Sequence, residues 1–479
     1  MDQLSEGRIM TLDRRTFLHR AGALAAAPAL LGVMNQSLSA GEAEPRPNFL
    51  FFFPDQHRFD WTCANPSLPL RTPHFQRLAA EGVRFSHAYC PSPLCAPSRA
   101  CLASGKEYAH ARVPSNQADY PLDQPTFYQQ LRRAGYQVLG CGKFDLHKAS
   151  PIWGLDGRAR LDEWGFTGGI DNGGKWDAVR NGAEVPRDPY MAFLHQRGLA
   201  AMHVEDFNQR NQGKQYVSTF PTPLPDDAYC DNWIAENGLH LLQSVPPGQP
   251  WFLQVNFAGP HPPVDITRSM EKTARGRAYP APHQSTQYDA EKHNAIRQNY
   301  SAMIENIDRG LGRFLDELQK RNERARTIVI YSSDHGEMLG DHDLWGKSKP
   351  QDPAVRVPLL FSGPGIARGR VSDALVSLSD LAATFIDLAG AASLDATDGR
   401  SLKSLLRGDQ SALREYVVSA LNPWRMVFDG KYKLVEGYGE ADQIFLYDLL
   451  EDPGEDQNLA SKATDVVKRL HQILEASQW

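Results

Sequence analysis

Four short apolar runs, each stopping on a polar or charged cluster, constrain this chain of 479 residues more than any other feature. Residues 48–53 are apolar after the leading Asn, too short for a helix and without alternation, the pattern of a strand buried on both faces. They run into Pro54-Asp55-Gln56-His57. Residues 251–257 read the same way and lead to Gly259-Pro260-His261-Pro262. Residues 327–333, rich in β-branched side chains, deliver Asp334-His335-Gly336-Glu337. Residues 136–140 follow a helical stretch at 126–134 and lead into Cys141-Gly142-Lys143-Phe144-Asp145-Leu146-His147. Buried strands separated by helical segments predict an α/β domain, and in open α/β sheets the ligand crevice lies beyond the carboxyl ends of the strands. Asp after a strand is ordinary turn chemistry, and His beside Pro is an ordinary loop residue. What points to a site is that four such ends, each carrying groups able to bind ions or move protons, would open onto one crevice.

A second pattern sits between the first two of these runs. Cys95-Ala96-Pro97-Ser98-Arg99 is a C-x-P-x-R pentapeptide continuing to Ser104-Gly105. Locally it predicts a turn into a helix, with Pro97 fixing φ near the start and the following residues propagating the first turns. A group at a helix N-terminus gains positive potential and free N–H groups, which suits an anionic ligand. Further along stand Gly340-Asp341-His342-Asp343-Leu344-Trp345-Gly346-Lys347, then Val355-Arg356-Val357-Pro358-Leu359 and Ser362-Gly363-Pro364-Gly365. Near the end come Asp448-Leu449, Asp452-Pro453, Glu455 and Asn458-Leu459. In this order the motifs resemble those of the type I, formylglycine-dependent sulfatases of the alkaline-phosphatase-like superfamily, over nearly the whole chain after its N-terminus. The sequence departs from that pattern at Ser104, where Thr is usual, and at Asp343, where Gly is usual. It departs again at His147, four residues after Lys143 where the family's His comes two or three after; Asp145 fills the nearer slot.

The resemblance implies an α/β fold with an alkaline-phosphatase-like central mixed sheet flanked by helices, and a smaller C-terminal antiparallel sheet packed with one helix. It implies that Cys95 is oxidised to formylglycine by a maturation enzyme, and that residue 95 joins Asp55, Gln56, Asp334 and His335 in holding one divalent ion. Carboxylate and amide oxygens favour calcium, while an imidazole in the set leaves softer ions open. Arg99, Lys143 and Lys347 would face the sulfate oxygens, and His261 would protonate the departing alcohol. His147, the residue type suited to proton transfer near neutrality, would deprotonate the second hydroxyl of the hydrated aldehyde, with Asp145 as the alternative.

Composition limits the partners. A formal net charge of −6 gives no sign of nucleic-acid binding. Six cysteines, Cys63, Cys90, Cys95, Cys101, Cys141 and Cys230, leave an odd five once Cys95 is set aside, which argues against a disulfide framework. Residues 1–43 resemble a twin-arginine signal, with Arg14-Arg15 ahead of an apolar run that Pro28 interrupts and that is too short to span a bilayer. Periplasmic or secreted localisation in a bacterium is expected, with no membrane span after cleavage. The catalytic domain is expected over 44–370 and a C-terminal subdomain over 371–479, with 371–389 as a helix-containing link and short strands at 416–420, 424–429, 431–435 and 445–448. Residues 151–225, rich in Gly, Trp, Arg and Asp, are expected to shape the pocket rim. The resemblance implies a sulfate ester as substrate, of a carbohydrate by preference and of an aryl or alkyl alcohol next. A phosphonate monoester or phosphodiester hydrolase on the same scaffold, and a binding protein with unmodified Cys95, remain open.

Overall fold

A computed structural model describes residues 46–440 and 443–477; the twin-arginine signal expected over 1–43 lies outside the described residues. An eight-stranded sheet organises the chain. Its strands are β1 (Asn48–Phe52), β2 (Val83–Tyr89), β3 (Gln137–Gly142), β4 (Gly168–Asp171), β5 (Trp251–Asn256), β6 (Thr327–Ser332), β7 (Leu359–Ser362) and β8 (Arg370–Ser377). Their spatial order is β4-β3-β5-β1-β6-β7-β2-β8. Among these, β7 runs antiparallel to both neighbours, β6 and β2, and the remaining pairs are parallel, so the sheet is mixed.

Side-chain alternation along β1 explains the layers. Phe49, Phe51 and Phe53 enter one core with Phe127, Phe252 and Phe385, while Leu50 and Phe52 enter a second with Phe257, Leu311 and Phe314. Both sets are fully buried, which is why the strand reads as continuously apolar. The second core is closed by the 31-residue helix Ala290–Lys320, capped by the Asp289 carboxylate on the Lys292 N–H.

The four apolar runs become β1, β3, β5 and β6, contiguous in the sheet as β3-β5-β1-β6. Two expectations need correction. Gly168-Gly169-Ile170-Asp171, placed on a pocket rim, is instead the edge strand β4, paired to β3. The glycines disguise it: a Cβ on Gly169 would stand 2.3 Å from the Gly140 carbonyl oxygen, so close strand approach requires Gly there. The other is residues 371–389, expected as a helix-containing link; they hold most of β8 as well as the helix Asp380–Ala389, so the large sheet continues past residue 370.

A second sheet, ordered β12-β11-β10-β9, is antiparallel and formed by β9 (Val417–Leu421), β10 (Trp424–Phe428), β11 (Tyr432–Glu436) and β12 (Ile444–Asp448). The helix Thr464–Ala476 packs Leu470 and Leu474 against Val427, Leu434 and Leu446 of that sheet. Lys433, fully buried on β11, joins it to the main body by pairing with Asp352 at 3.1 Å and with Glu455. Among the described residues no helix is long and apolar enough to cross a membrane.

Candidate active site

Because β3, β5, β1 and β6 lie side by side and parallel, their carboxyl ends deliver their polar residues to one place. Asp55 and Gln56 follow β1, Lys143 follows β3, His261 stands five residues beyond β5, and Asp334 and His335 follow β6. The fifth contributor is the helix Cys95–Ser104, which begins at Cys95 and is buried at every position. Gly105 ends it in the left-handed region (φ 67°), where a Cβ would meet Thr397 Oγ1 at 2.6 Å.

Cys95 is 1 % exposed and ringed by partners. Its Sγ lies 2.8 Å from Lys347 Nζ, 3.6 Å from Lys143 Nζ, 3.4 Å from His335 Nε2 and 4.0 Å from Asp55 Oδ1. Asp55 also pairs with Lys143 and, at 3.3 Å, with Arg99, whose Nε donates to Asp334 Oδ2 at 3.0 Å. The other edge of the Arg99 guanidinium donates to the Lys143 carbonyl at 2.5 Å and to Asn256 Oδ1 at 3.4 Å, so its orientation is fixed on both sides.

This charge density moves the ionisation equilibria. Burial alone would raise the Asp55 pKa, but Lys143 and Lys347, with His261 and Arg99, hold it well below the usual carboxylate range. Burial and Asp55 push the Cys95 thiol up; Lys143, Lys347 and the His335 hydrogen bond outweigh them, and the net shift is downward. Burial and the Lys347 charge keep the His261 imidazolium well below its ordinary pKa, against the pull of Asp55. His261 Nδ1 lies 2.5 Å from the Pro262 carbonyl oxygen, an arrangement that leaves Nε2 for other partners.

The donor set fits a divalent cation. One ligand atom from each of Asp55, Cys95, Asp334 and His335 lies within 4.8 Å of the others, all buried. Gln56 adds a second observation: its Nε2 donates to Glu337, while its Oε1 is buried without a hydrogen-bond partner. Glu337 is itself held by Tyr216 Oη at 2.8 Å and the N–H groups of Leu339 and Gly346. Gln56 sits at φ 67°, and its backbone N–H donates to Asp334 Oδ1 at 3.0 Å.

His147 is the sequence-derived candidate that the structure does not bring into this cluster. Its Nε2 lies 2.8 Å from Asp171 Oδ2 and its Nδ1 2.9 Å from the Ser150 carbonyl, so both ring nitrogens are engaged away from Cys95. Burial lowers its pKa, but the Asp171 hydrogen bond and charge more than reverse this, favouring the imidazolium. His147 Nδ1 also lies 3.3 Å from the Ile152 backbone N–H, so neither ring nitrogen faces residue 95. Asp145, the alternative, turns the chain in the left-handed region (φ 53°) and sets Oδ2 3.1 Å from Lys143 Nζ and 2.9 Å from Lys148 Nζ. One ammonium thus separates it from Cys95 Sγ. Burial would raise the Asp145 pKa; Lys143, Lys148 and Arg99 bring it far below the usual range. Lys148, which also pairs with Asp177 at 2.8 Å, was not legible beforehand; neither was Asn256, though its place as the last residue of β5 could have found it. Trp153, expected at the pocket rim, is instead buried and packs its ring against His147.

Comparison with known proteins agrees with this geometry. A family model described as Sulfatase matches residues 47–391, and one described as N-sulphoglucosamine sulphohydrolase, C-terminal, matches 340–479. The chain is 30% identical to a choline-sulfatase of Rhizobium meliloti (strain 1021) over 446 residues, covering 87% of this chain and 82% of that one. It is 26% identical to an N-acetylglucosamine-6-O-sulfatase of Bacteroides thetaiotaomicron over 498 residues, covering 91% and 87%. Among solved structures, a phosphonate monoester hydrolase from Silicibacter pomeroyi superposes with a TM-score of 0.74 at 23% identity, covering 90% of this chain and 95% of that one. Another, in complex with its substrate D-glucosamine-2-N,6-O-disulfate, gives 0.72 at 21% identity, covering 90% and 97%. At these identities the two structures speak to the fold alone.

Proposed function

The chain belongs to the sulfatase family and is a sulfuric ester hydrolase, and from that premise we propose that it cleaves sulfate esters of carbohydrates at residue 95, as formylglycine, with the aid of a bound calcium ion. The observation that carries the proposal is the placement of Cys95 at the first turn of a buried helix, with Lys347, Lys143 and His335 within 3.6 Å of its Sγ. A sulfate monoester brings one negative charge, and Lys143, Lys347 and Arg99 set cations where its non-bridging oxygens would lie. Hydrated formylglycine supplies an oxygen nucleophile with a second hydroxyl, whose deprotonation releases sulfate without attack on sulfur. Asp55, Gln56, Asp334 and His335 would hold the cation with residue 95, and the cation would polarise the oxygens of residue 95 and substrate. Replacing sulfur by oxygen at residue 95 leaves a donor set of carboxylates, amide, oxygen and one imidazole, which is harder than the thiol set and shifts preference towards calcium.

The chain's own groups divide the remaining work. Arg99 fixes Asp55 and Asp334 relative to one another. His261, with Nε2 unencumbered, is the proton donor to the leaving alcohol, and Asp145 accepts a proton on the residue 95 side. The carbohydrate preference is supported by the sugar-sulfatase relative rather than by the pocket rim. Burial supports a maturation enzyme as partner: a thiol 1 % exposed at the base of the cluster is accessible to oxidation by such an enzyme before the chain closes over it. Export through a twin-arginine route, supported by residues 1–43, would then place that oxidation in the cytoplasm and the working enzyme in the periplasm or outside the cell.

The test is mass spectrometry of the peptide bearing residue 95, from protein made with a maturation enzyme, combined with turnover of a panel of esters. Formylglycine makes that peptide about 18 Da lighter than the thiol form. We expect the lighter peptide, no conversion when the folded thiol form is supplied to the same enzyme, and faster turnover of sulfated glucosamine than of choline sulfate or a phosphonate monoester. Full activity with an intact thiol overturns the modification; a phosphonate or choline ester turned over fastest overturns the substrate class.

A further inference from the structure

Remote in sequence from the catalytic residues except for the loop that ends at Lys347, three side chains from three segments converge. His283 lies between the helices Arg268–Ala274 and Ala290–Lys320, His342 lies between β6 and Lys347, and Asp456 lies on the tail after β12. His283 Nε2 stands 2.9 Å and 3.0 Å from the two carboxylate oxygens of Asp456. The two imidazole rings meet edge to face at 5.1 Å, and His342 Nε2 stands 2.8 Å from the Gly454 carbonyl oxygen. One ligand atom from each of His283, His342 and Asp456 lies within 4.8 Å of the other two. From this geometry we infer that His283, His342 and Asp456 form a second metal site, selective for a late first-row divalent cation such as zinc, which clasps the C-terminal tail to the loop carrying Lys347.

The backbone holds the three residues in place independently of any ion. The His342 N–H donates to the His283 carbonyl at 2.8 Å, and the His283 N–H donates to Asp341 Oδ1 at 2.9 Å. Asp341 is anchored in turn by Arg58 and Arg297. The Asp456 N–H donates to Asp452 Oδ1 at 3.1 Å, and Gln284 Nε2 donates to Asp456 Oδ1 at 2.7 Å. Gly454 leaves the space the imidazole uses, since a Cβ there would stand 2.7 Å from His283 Nε2. Preorganisation of this kind lowers the ordering cost of binding an ion.

Ligand chemistry selects the ion. Two imidazoles and one carboxylate match zinc, whose bonds to nitrogen and oxygen are about 2.0–2.2 Å and whose three protein ligands commonly leave a fourth position to water. Tetrahedral bonds of that length place ligand atoms about 3.4 Å apart, so from within 4.8 Å no pair has to close by more than about 1.4 Å, a movement within the reach of side-chain rotation. His283 and Asp456 are free to make it, with side chains 45 % and 29 % exposed. Calcium, which takes six to eight oxygen ligands, is a poor match. The buried cluster at Asp55 competes for the same ions, so the test separates the two.

The experiment titrates zinc chloride into the full-length enzyme preloaded with calcium, following binding by calorimetry and the melting temperature alongside. Wild type and Asp334→Asn, which damages the catalytic cluster, should each take up one zinc equivalent that both His283→Ala and Asp456→Asn lack. Zinc should raise the melting temperature of wild type and leave that of His283→Ala unmoved, because only an ion bound to the native state stabilises it. Without zinc, His283→Ala should turn over substrate within about twofold of wild type, since it does not touch the reacting groups. The inference is overturned if either variant retains the equivalent, if the sole zinc bound disappears with Asp334→Asn, or if wild type takes up none. Asp456→Asn preserves shape and the Gln284 contact, so loss of zinc there is not attributable to unfolding.

Discussion

One substitution at each of two residues, Asp145→Asn and His147→Gln, separates catalysis from scaffolding beside β3. Asp145→Asn keeps the shape of the side chain and removes its charge. At 3.1 Å from Lys143 Nζ, that charge is worth at most about 5 kcal/mol with an effective dielectric constant of about 20. The net stability loss is smaller, because Lys143 retains Asp55 and Lys148 retains Asp177. An Asn that still accepts a hydrogen bond should cost about 1–2 kcal/mol. Loss of a proton acceptor lowers turnover by about 10²–10⁴-fold; a carboxylate held far below its usual pKa is a weak base, which places the expectation at the lower end, about a hundredfold. His147→Gln does the opposite. It removes the imidazole from Asp171, which is 2 % exposed, and losing one partner of a buried pair costs about 3–5 kcal/mol. Gln retains a donor and Asp171 keeps the Phe144 N–H at 3.2 Å, so about 3 kcal/mol is expected. The assay is kcat on an aryl sulfate, normalised to folded protein by circular dichroism, with melting temperatures and the mass of the residue 95 peptide after substrate addition. Asp145→Asn should melt near wild type, turn over slowly and accumulate a peptide about 80 Da heavier than the hydrated formylglycine form, from the added sulfuryl group. His147→Gln should melt well below wild type yet turn over within about threefold per folded molecule. A heavy peptide and a hundredfold loss in His147→Gln, with Asp145→Asn near wild type, would refute the assignment.

Three further outcomes follow from the same geometry. Exhaustive chelation should abolish turnover and calcium should restore it better than zinc; Asp334→Ala should lose the ion and at least about a thousandfold in kcat, as expected when several kcal/mol of charge stabilisation disappear. Persistence of full activity in metal-free protein would remove the cation from the reaction. His261→Ala should slow sugar sulfates far more than esters of an acidic phenol, whose phenolate leaves unaided, and because the imidazolium is held below its ordinary pKa the wild-type rate on sugar esters should rise as pH falls. Equal losses on both esters would count against an acid role. Burial raises the Glu107 carboxyl from 4.5 to about 7 against the pull of Arg414. Between those two pH values the folded state holds a proton that the unfolded chain has released, so stability falls as pH rises, by about 3 kcal/mol in all. Glu107→Gln should therefore gain on wild type in urea titrations as pH is raised from 4.5 to 7, and a constant gap across that window would contradict the shift.

Residues that fill two cores at once were the legible part of the fold. β1, β3, β5 and β6 each bury nearly every side chain, so composition alone marks them as strands. β4 and β8 escaped for opposite reasons. β4 is half glycine because its backbone presses against Gly140, and such a segment looks like a loop. β8 begins partly exposed, with Arg370, Val371 and Asp373 along its first half, and only its second half is continuously buried. Sequence periodicity reports what a side chain touches, so a strand that touches backbone or solvent leaves little trace.

The same limit bears on the choice between His147 and Asp145. Residue type favoured His147, since imidazole titrates near neutrality. In the fold, however, Asp171, delivered by the strand hidden behind glycines, engages His147 Nε2 at 2.8 Å and shifts the His147 pKa upward. Missing β4 therefore also hid the partner that turns His147 away from Cys95. Once β4 pairs with β3, Asp171 lies opposite Gly142, next to Lys143, and its carboxylate pins both His147 and the Phe144 N–H. That contact fixes the turn through Asp145, whose left-handed conformation brings its carboxylate onto Lys143 and Lys148. The edge strand thus orients the group beside residue 95 without touching it, through the hydrogen bond from the Phe144 N–H to Asp171.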